Sequence, residues 1–443
     1  MLPTLPLPLP AEVVDTYAID LAAPYTAGWG YQHLDAAYGP GGDLYVLSHL
    51  GRYKPGGEAA ENPHDRTVSL SVLARYAADG GGEPASIAVV RRRTRWSKFG
   101  DAWDFRLAVL PDGTVALCGR HDNTYLFDAE LTREIGAYTQ NSHRRAYEDY
   151  EPGTPFASRI AVTPGGRLLC VTAEYGTNQY GNFSANLIGI ADTAPTAGDR
   201  PTIHAFASLD ARPQHQGPEL DVSSYVMHEG RPVGLEHRPE PALGDLVAEE
   251  WAGLYQRRRK WLGAPQPLAD DRFVVPVFAE LFRSGNRGNA FTFALVDDKG
   301  AVLGKLRGMH AYQDSPYTGG CYQVATDPAR GRVYHLNRYG LYAWDADGEL
   351  LAKVSTGIKP FSLLKNFSLL GCSPDGDLVL AQDKQHLLAR VPVPADDLAG
   401  GLGTAVETGL AAFGKHRTAL KKQWTQEAWH WTYRPEAGRL HEL

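Results

Sequence analysis

The stretch Ser373-Pro-Asp-Gly-Asp-Leu-Val-Leu380 decides the fold, because the chain repeats its pattern at intervals. Proline fixes φ at the head of a turn, glycine supplies the positive φ that reverses the chain, and an apolar strand leaves at once. The same order appears in Tyr38-Gly-Pro-Gly-Gly-Asp-Leu-Tyr-Val-Leu47, Leu110-Pro-Asp-Gly-Thr-Val-Ala-Leu117, Thr163-Pro-Gly-Gly-Arg-Leu-Leu-Cys-Val171, Asp327-Pro-Ala-Arg-Gly-Arg-Val-Tyr334 and Arg434-Pro-Glu-Ala-Gly-Arg-Leu-His441. A degenerate form, Leu268-Ala-Asp-Asp-Arg-Phe-Val-Val-Pro-Val277, keeps the strand and puts acidic residues in place of the Pro-Gly turn. Each copy reads as a β-hairpin, and the set reads as an internal repeat.

A third apolar segment follows most hairpins, as in Thr124-Tyr-Leu-Phe-Asp128, Asn186-Leu-Ile-Gly-Ile190, Ala290-Phe-Thr-Phe-Ala-Leu295 and Gly340-Leu-Tyr-Ala-Trp344, and a fourth often closes the unit. Small antiparallel units of this kind cannot bury both faces alone, so repeated copies stack radially. In these repeats the chain resembles the β-propeller superfamily, of the WD40, NHL or quinoprotein type, over nearly its whole length. No repeated Trp-Asp dipeptide and no Gly-His of the WD40 pattern narrows the resemblance further. The expected fold is all-β: a closed β-propeller of seven blades, each of four antiparallel strands. An eighth blade hidden near Ser223 to His237 stays open. The copies are unevenly spaced, from 45 residues (Gly331 to Gly376) to 71 (Gly42 to Gly113), which places insertions between strands.

The last copy runs only to Leu443, two strands into its unit, and Val13-Val-Asp-Thr-Tyr-Ala-Ile-Asp-Leu21 is placed to supply the missing outer strands. Pairing of the N- and C-terminal strands would close the ring and remove an exposed edge. Residues 1–11, with alternating prolines, read as an extended segment without the features of a signal peptide. Residues 12–443 read as one propeller domain. Two stretches break the strand pattern with helical spacing and are expected to be helical insertions. They are about 241–263, with Leu246, Trp251, Leu254, Tyr255 and Trp261, and about 396–426, with Leu402, Val406, Leu410, Phe413 and Leu420.

Composition agrees with many short strands joined by tight turns: the 443 residues include 47 glycines and 30 prolines, 43% hydrophobic and 21% charged residues. A net charge of −7 sets the overall field against nucleic acid and anionic membranes. No apolar run reaches the ~20 residues that a spanning helix needs. The four cysteines, Cys118, Cys170, Cys321 and Cys372, lie far apart without a CxxC pair and read as buried reduced thiols. A soluble cytoplasmic protein is expected. The bias toward Ala, Gly, Arg and Leu points to a GC-rich bacterial genome and a subunit of a bacterial multiprotein system.

With this strand order the Pro-Gly turns crowd one face and the long loops share the other. Those loops are Ser48 to Thr67, Gly119 to Thr124, Ala173 to Asn186, Ala279 to Ala290 and Leu336 to Gly340. With the connections into each blade they carry Arg52, Tyr53, Trp103, His121, Tyr175, Tyr180, Arg283, Arg287, Tyr317, Arg338, Tyr339 and Trp429. Tyrosine, tryptophan and arginine are the residues that dominate binding hot spots. The leading expectation is a non-enzymatic scaffold without cofactor that binds a protein or peptide partner through this face. The alternative is a calcium- or zinc-assisted hydrolase or lactonase at the channel mouth, built from Asp101, Asp104, Glu148, Asp149 and Glu151 with His33 and His121. Against catalysis, the chain lacks a Gly-x-Ser-x-Gly elbow, a His-Glu-x-x-His and a Gly-x-Gly-x-x-Gly. Gly300-Ala-Val-Leu-Gly304-Lys305 is one residue short of a phosphate loop and reads as a strand turn. The stretch Arg91-Arg-Arg-Thr-Arg-Trp-Ser-Lys98 gives one route to nucleic acid, through Arg91, Arg92, Arg93, Arg95 and Lys98. Its simpler reading is an outer strand whose positive charge blocks edge-to-edge association.

Overall fold

The computed structural model describes residues 7–9, 32–53, 68–78, 84–93, 106–118, 124–138, 156–178, 181–191, 203–208, 225–228, 231–234, 256–283, 286–309, 312–313, 324–382, 388–424, 431–433 and 439–442. Four hairpin turns share one construction. In each, a glycine with φ between 84° and 88° (Gly42, Gly113, Gly166, Gly376) follows a tight turn. The amide of Leu110 donates to the Thr114 carbonyl at 2.8 Å and that of Gly113 to the Leu110 carbonyl at 2.9 Å, and the Thr163 and Ser373 turns repeat the pair at 2.8 to 2.9 Å. This is a type I turn closed by a left-handed glycine, which sets the register of the strands leaving it.

From these turns grow six sheets of consecutive antiparallel strands. Sheet I holds Gln32–Tyr38, Leu44–Tyr53, Val68–Tyr76 and Ser86–Arg93. Sheet II holds Arg106–Val109, Val115–Cys118, Thr124–Phe127 and Glu134–Tyr138. Sheet III holds Phe156–Val162, Leu168–Asn178, Gly181–Ala191 and Ile203–Ser208. Sheet IV begins with Gln256–Leu262 and Gln266–Ala269, which pair in succession with Arg272–Arg283, and continues through Asn286–Asp297 to Val302–Lys305, with Tyr312–Gln313 added at the side. Sheet V holds Val324–Asp327, Arg332–Asn337, Gly340–Asp345 and Leu350–Ser355. Sheet VI holds Phe367–Cys372, Leu378–Gln382 and Leu388–Val391.

The middle strands bury consecutive residues rather than alternate ones: Leu44 to Leu47, Val115 to Leu117, Leu341 to Trp344 and Leu378 to Ala381 are all buried. Successive side chains point to opposite faces of a sheet, so both faces must be covered. The sheets therefore pack face against face, as propeller blades do.

The chain forms two compact units. The first (Met1–Leu117, Leu126–Ile135 and Thr356–Leu443) carries sheets I and VI and most of sheet II; the second (Cys118–Tyr125 and Gly136–Ser355) carries III, IV and V. In the first unit the opening strand of sheet I packs against those of sheets II and VI. In the second, Gln266–Ala269 of sheet IV packs against the opening strands of III and V. Opening strands that meet their counterparts on both sides are the inner strands of a radial stack.

Four readings need correction. Among the described residues five blades have four or more strands, not seven, and sheet VI has three strands. The Arg434 copy is not a hairpin blade, because its flanking strands take other partners. Trp431–Tyr433 pairs in parallel with Leu7–Leu9, and Arg439–Glu442 pairs in parallel with Ala88 to Arg91 on the outer strand of sheet I. A turn signature cannot specify which free strand edge its neighbours will find. The region near Ser223 forms a two-stranded ribbon, Tyr225–His228 with Arg231–Gly234, rather than an eighth blade. In the stretch 241–263 the described part, Gln256–Leu262, is a strand and not a helix, because the long strand Arg272–Arg283 offers it a continuous backbone partner. The closing segment Val13 to Leu21 lies outside the described residues.

In the stretch 396–426 the chain forms helix α1, Leu398–Trp424. Asp397 caps it, its carboxylate accepting the Gly400 amide at 3.1 Å. Its buried stripe is Leu398, Leu402, Ala405, Val406, Gly409 and Leu410. A Cβ at Gly409 would lie 2.5 Å from the Arg390 carbonyl oxygen, so glycine lets the helix press against the last strand of sheet VI. Helix α1 thus stands at the strand edge where a fourth strand would otherwise pair. No helix among the described residues is long and apolar enough to cross a membrane.

Candidate functional site

Antiparallel alternation puts the first-to-second and third-to-fourth turns of each sheet at one end, and the second-to-third tip with the outgoing connection at the other. At the turn end the sheets are tied together. In the first unit the Tyr45 hydroxyl donates to the Ala129 carbonyl at 2.9 Å, and Arg75 bridges Asp43, at 2.8 Å, and Glu130. In the second unit Arg272 reaches Asp347 at 2.9 Å, and the Gly165 amide donates to the Asp270 carboxylate. The Trp344 indole N–H donates to the Arg307 carbonyl at 2.6 Å. An aspartate closes the third strand of three sheets: the carboxylates of Asp128, Asp297 and Asp345 accept the amides of Thr132, Ala301 and Glu349 at 2.7 to 2.9 Å. That aspartate, after Phe127, Val296 and Trp344, is a repeat signal the sequence reading passed over. This end is occupied by structural contacts.

Asp35, also missed, lies on the inner strand of sheet I just after a bulge. Its two carboxylate oxygens accept the amides of Ala36 at 3.0 Å and, across to sheet II, of Leu107 at 2.9 Å. Burial holds its carboxyl up at about 6, against the pull of the Arg106 guanidinium and the two amides. Burial also lifts the Tyr38 hydroxyl to about 12, eased by Arg390. A charged residue inside an apolar inner strand was the available signal for Asp35. Its bonds make it a seam between two sheets.

At the tip end the long loops are in large part strand. Ala173 to Asn178 pairs with Gly181 to Asn186, and Ala279 to Arg283 pairs with Asn286 to Ala290, so the described parts of two expected loops are extensions of the strand ladders. Apolar alternation fades there, which is why the sequence reads as loop although the backbone ladder continues. Arg52, Tyr53, Tyr175, Arg283 and Arg287 therefore occupy paired strand positions, opposite Ser69, Val68, Ser184, Asn286 and Phe282. Arg91, Arg92 and Arg93 lie on the outer strand of sheet I, opposite Leu70, Ser69 and Val68. His33 lies on the first strand of that sheet. Trp103, His121, Tyr180, Tyr317, Trp429, Arg95, Lys98, Asp101, Asp104, Glu148, Asp149 and Glu151 fall outside the described residues. Among the described residues no three His, Cys, Asp or Glu side chains group as a metal site requires.

The tip of sheet V is described in full. Asn337 and Gly340 face each other across a two-residue turn, Arg338-Tyr339. Such turns usually place residues at positive φ, yet neither Arg338 nor Tyr339 does so. The Asn337 side chain supplies the hold: its carbonyl oxygen accepts the amides of Tyr339 at 2.8 Å and Gly340 at 3.1 Å. A Cβ at Gly340 would lie 2.7 Å from the Val354 carbonyl oxygen, so the neighbouring strand closes in as well. On this frame the Arg338 guanidinium carbon sits 4.8 Å from the centre of the Tyr339 ring. Both side chains are part-exposed. Below them Tyr342 stacks on Trp344 at 5.5 Å in the buried core of the second unit, where Phe293 lies against His335.

No family model and no curated protein matches the sequence. Solved propeller structures do. The β-propeller domain of Myceliophteria thermophila Cps50 (Swd1) has 9% identity and a TM-score of 0.33, covering 80% of this chain and 94% of that one. U3-55K has 10% identity and a TM-score of 0.35, covering 80% and 93%. The Neurospora crassa Pan2 WD40 domain has 8% identity and a TM-score of 0.35, covering 84% and 91%. The blades of this chain are those of a β-propeller. That assignment stands on the sheets described above, since at TM-scores near one third the likenesses to these propellers carry no argument about activity or partners.

Proposed function

We propose that this propeller is a non-enzymatic scaffold that recognises a protein or peptide partner through its strand tips. The carrying observation is the Arg338-Tyr339 turn: a guanidinium 4.8 Å from the centre of a phenol ring, on a turn whose backbone Asn337 holds, at the end of strands buried along most of their length. Arginine and tyrosine that are already ordered lose little freedom on binding, which is what makes such pairs effective anchors. Tyr175, Arg283 and Arg287, on the extended strands of sheets III and IV, belong to the same recognition surface in this reading. We also take residues 12–443 as one domain. The setting we infer is the cytoplasm of a bacterium, within a multiprotein system. The test is affinity capture from native cell extract with wild type and with Arg338→Ala/Tyr339→Ala, folding being checked by circular dichroism, alongside metal analysis of protein purified without chelator. A partner captured by wild type and lost by the folded variant supports the scaffold. Stoichiometric metal, or capture unaffected by the substitutions, refutes it.

A further inference from the structure

The segment that leads into sheet VI combines exposed apolar side chains with positive charge. Ile358 is 64% exposed and Leu363 53%, the two highest values for large apolar residues among the described residues. Both belong to one folded knuckle. Residues Phe361–Asn366 form a 3-10 turn, and the Ser362 amide donates to the Ile358 carbonyl at 3.1 Å, which brings the two apolar positions within one turn of each other. The knuckle is anchored from beneath. Leu364 is fully buried, the Phe361 ring is 3.8 Å from where a Cβ would stand at Gly403 of helix α1, and Phe367 meets Phe413 of that helix edge-on at 5.1 Å. Folding has thus used Leu364, Phe361 and Phe367 and left Ile358 and Leu363 outside.

Along the local sequence the charge has one sign. Between Glu349 and Asp375 the chain has three lysines and no acidic residue, within a protein of net charge −7. Lys359 follows Ile358 directly and Lys365 lies two residues beyond Leu363; both are exposed, and neither has a carboxylate partner among the described residues. Scattered exposed apolar residues need no explanation. Two on one firm turn, interleaved with lysines that have no carboxylate partner among the described residues, fit a partner that brings both apolar contact and carboxylates.

We propose that the Ile358–Lys365 knuckle docks a peptide segment of a partner protein in which apolar side chains are flanked by Asp or Glu. Ile358 and Leu363 bury against the apolar side chains, and Lys359 and Lys365 pair with the carboxylates and set the register. The inference rests on the scaffold reading in taking a protein segment as the ligand. It concerns a different surface, in the first unit.

The test uses the full chain and a fluorescein-labelled, end-capped peptide, Gly-Ser-Asp-Leu-Glu-Phe-Asp-Ser-Gly, followed by anisotropy at low salt. Expected is saturable binding that weakens about tenfold in Ile358→Asp/Leu363→Asp and in Lys359→Glu/Lys365→Glu. The lysine-reversal variant should instead bind the peptide with Lys in place of Asp and Glu. All four positions are exposed, so the variants should fold. Arg338→Ala/Tyr339→Ala should keep the peptide affinity within about twofold. Three results overturn the proposal: no saturable binding by wild type, binding unchanged in both knuckle variants, or sedimentation with phosphatidylserine vesicles in the absence of peptide binding, which assigns the patch to a lipid surface. If the peptide fails while partner capture through Arg338 and Tyr339 persists, the knuckle proposal falls alone.

Discussion

Replacing Asp35 with asparagine tests whether the sheet I to sheet II seam is held by a carboxylate. In the fold this group accepts two amides and has its carboxyl raised to about 6 by burial; in the unfolded chain it titrates near 3.9. The folded state therefore binds its proton more tightly. The stabilisation this gives is fully present below the unfolded value, and it is lost as pH rises through about 6. For one such group, unfolding free energy should rise by about 1 kcal/mol from pH 7 to pH 5 and by up to about 3 kcal/mol toward pH 3.5. Asp35 keeps some access to water, so the lower end of that range is expected. In Asp35→Asn the titration is gone and one amide loses its acceptor, a cost of about 1 to 3 kcal/mol. Urea unfolding of both proteins at pH 7 and pH 5 reads the difference, because all other titrating groups are common to the two. Wild type should gain about 1 kcal/mol over the variant between these pH values. If the gap between them stays constant, burial does not control this carboxylate and the reasoning fails.

Two further outcomes follow from the turns. Asn337→Ala removes the acceptor for the Tyr339 and Gly340 amides, and should loosen the sheet V tip by about 1 to 2 kcal/mol, seen as roughly tenfold faster hydrogen exchange at those two amides with the Val333 and Trp344 amides unchanged. Gly113→Ala places a Cβ at φ 88°, 3.2 Å from the Ala129 Cβ, and should cost about 1 to 2 kcal/mol of global stability in thermal unfolding, whereas the same change at Gly41, where nothing lies within 4 Å of the added carbon and φ is ordinary, should be nearly silent.

The turn residues carried most of the fold into the sequence because a left-handed glycine and a φ-locked proline are local demands. Gly42, Gly113, Gly166 and Gly376 each had to be glycine whatever lay around them, and their adoption of one φ follows. The degenerate Leu268 copy built a full blade because its apolar strand, not its turn, supplies the core residues Phe273, Val274, Val275 and Val277. The Arg434 copy has the turn composition, but its strands pair with segments hundreds of residues away in the chain. No local pattern encodes that competition, so counting turns overstated the number of blades. The helical spacing of 241–263 failed for the same reason at Gln256–Leu262, where a neighbouring strand decided the backbone.

The tips were harder to read than the blades for a different physical reason. In a blade each position answers to burial on both faces, and the same requirement recurs in every copy. At a tip the side chains answer only to whatever they touch, so nothing repeats and no period announces them. What the sequence could show was a density of Arg, Tyr and Asn. What orders part of that density is a single short side chain, Asn337, whose oxygen closes the Arg338-Tyr339 turn. At the Ile358 knuckle no spacing in the sequence separates Leu363 from Leu364, and only the fold does so, burying Leu364 fully and leaving Leu363 exposed.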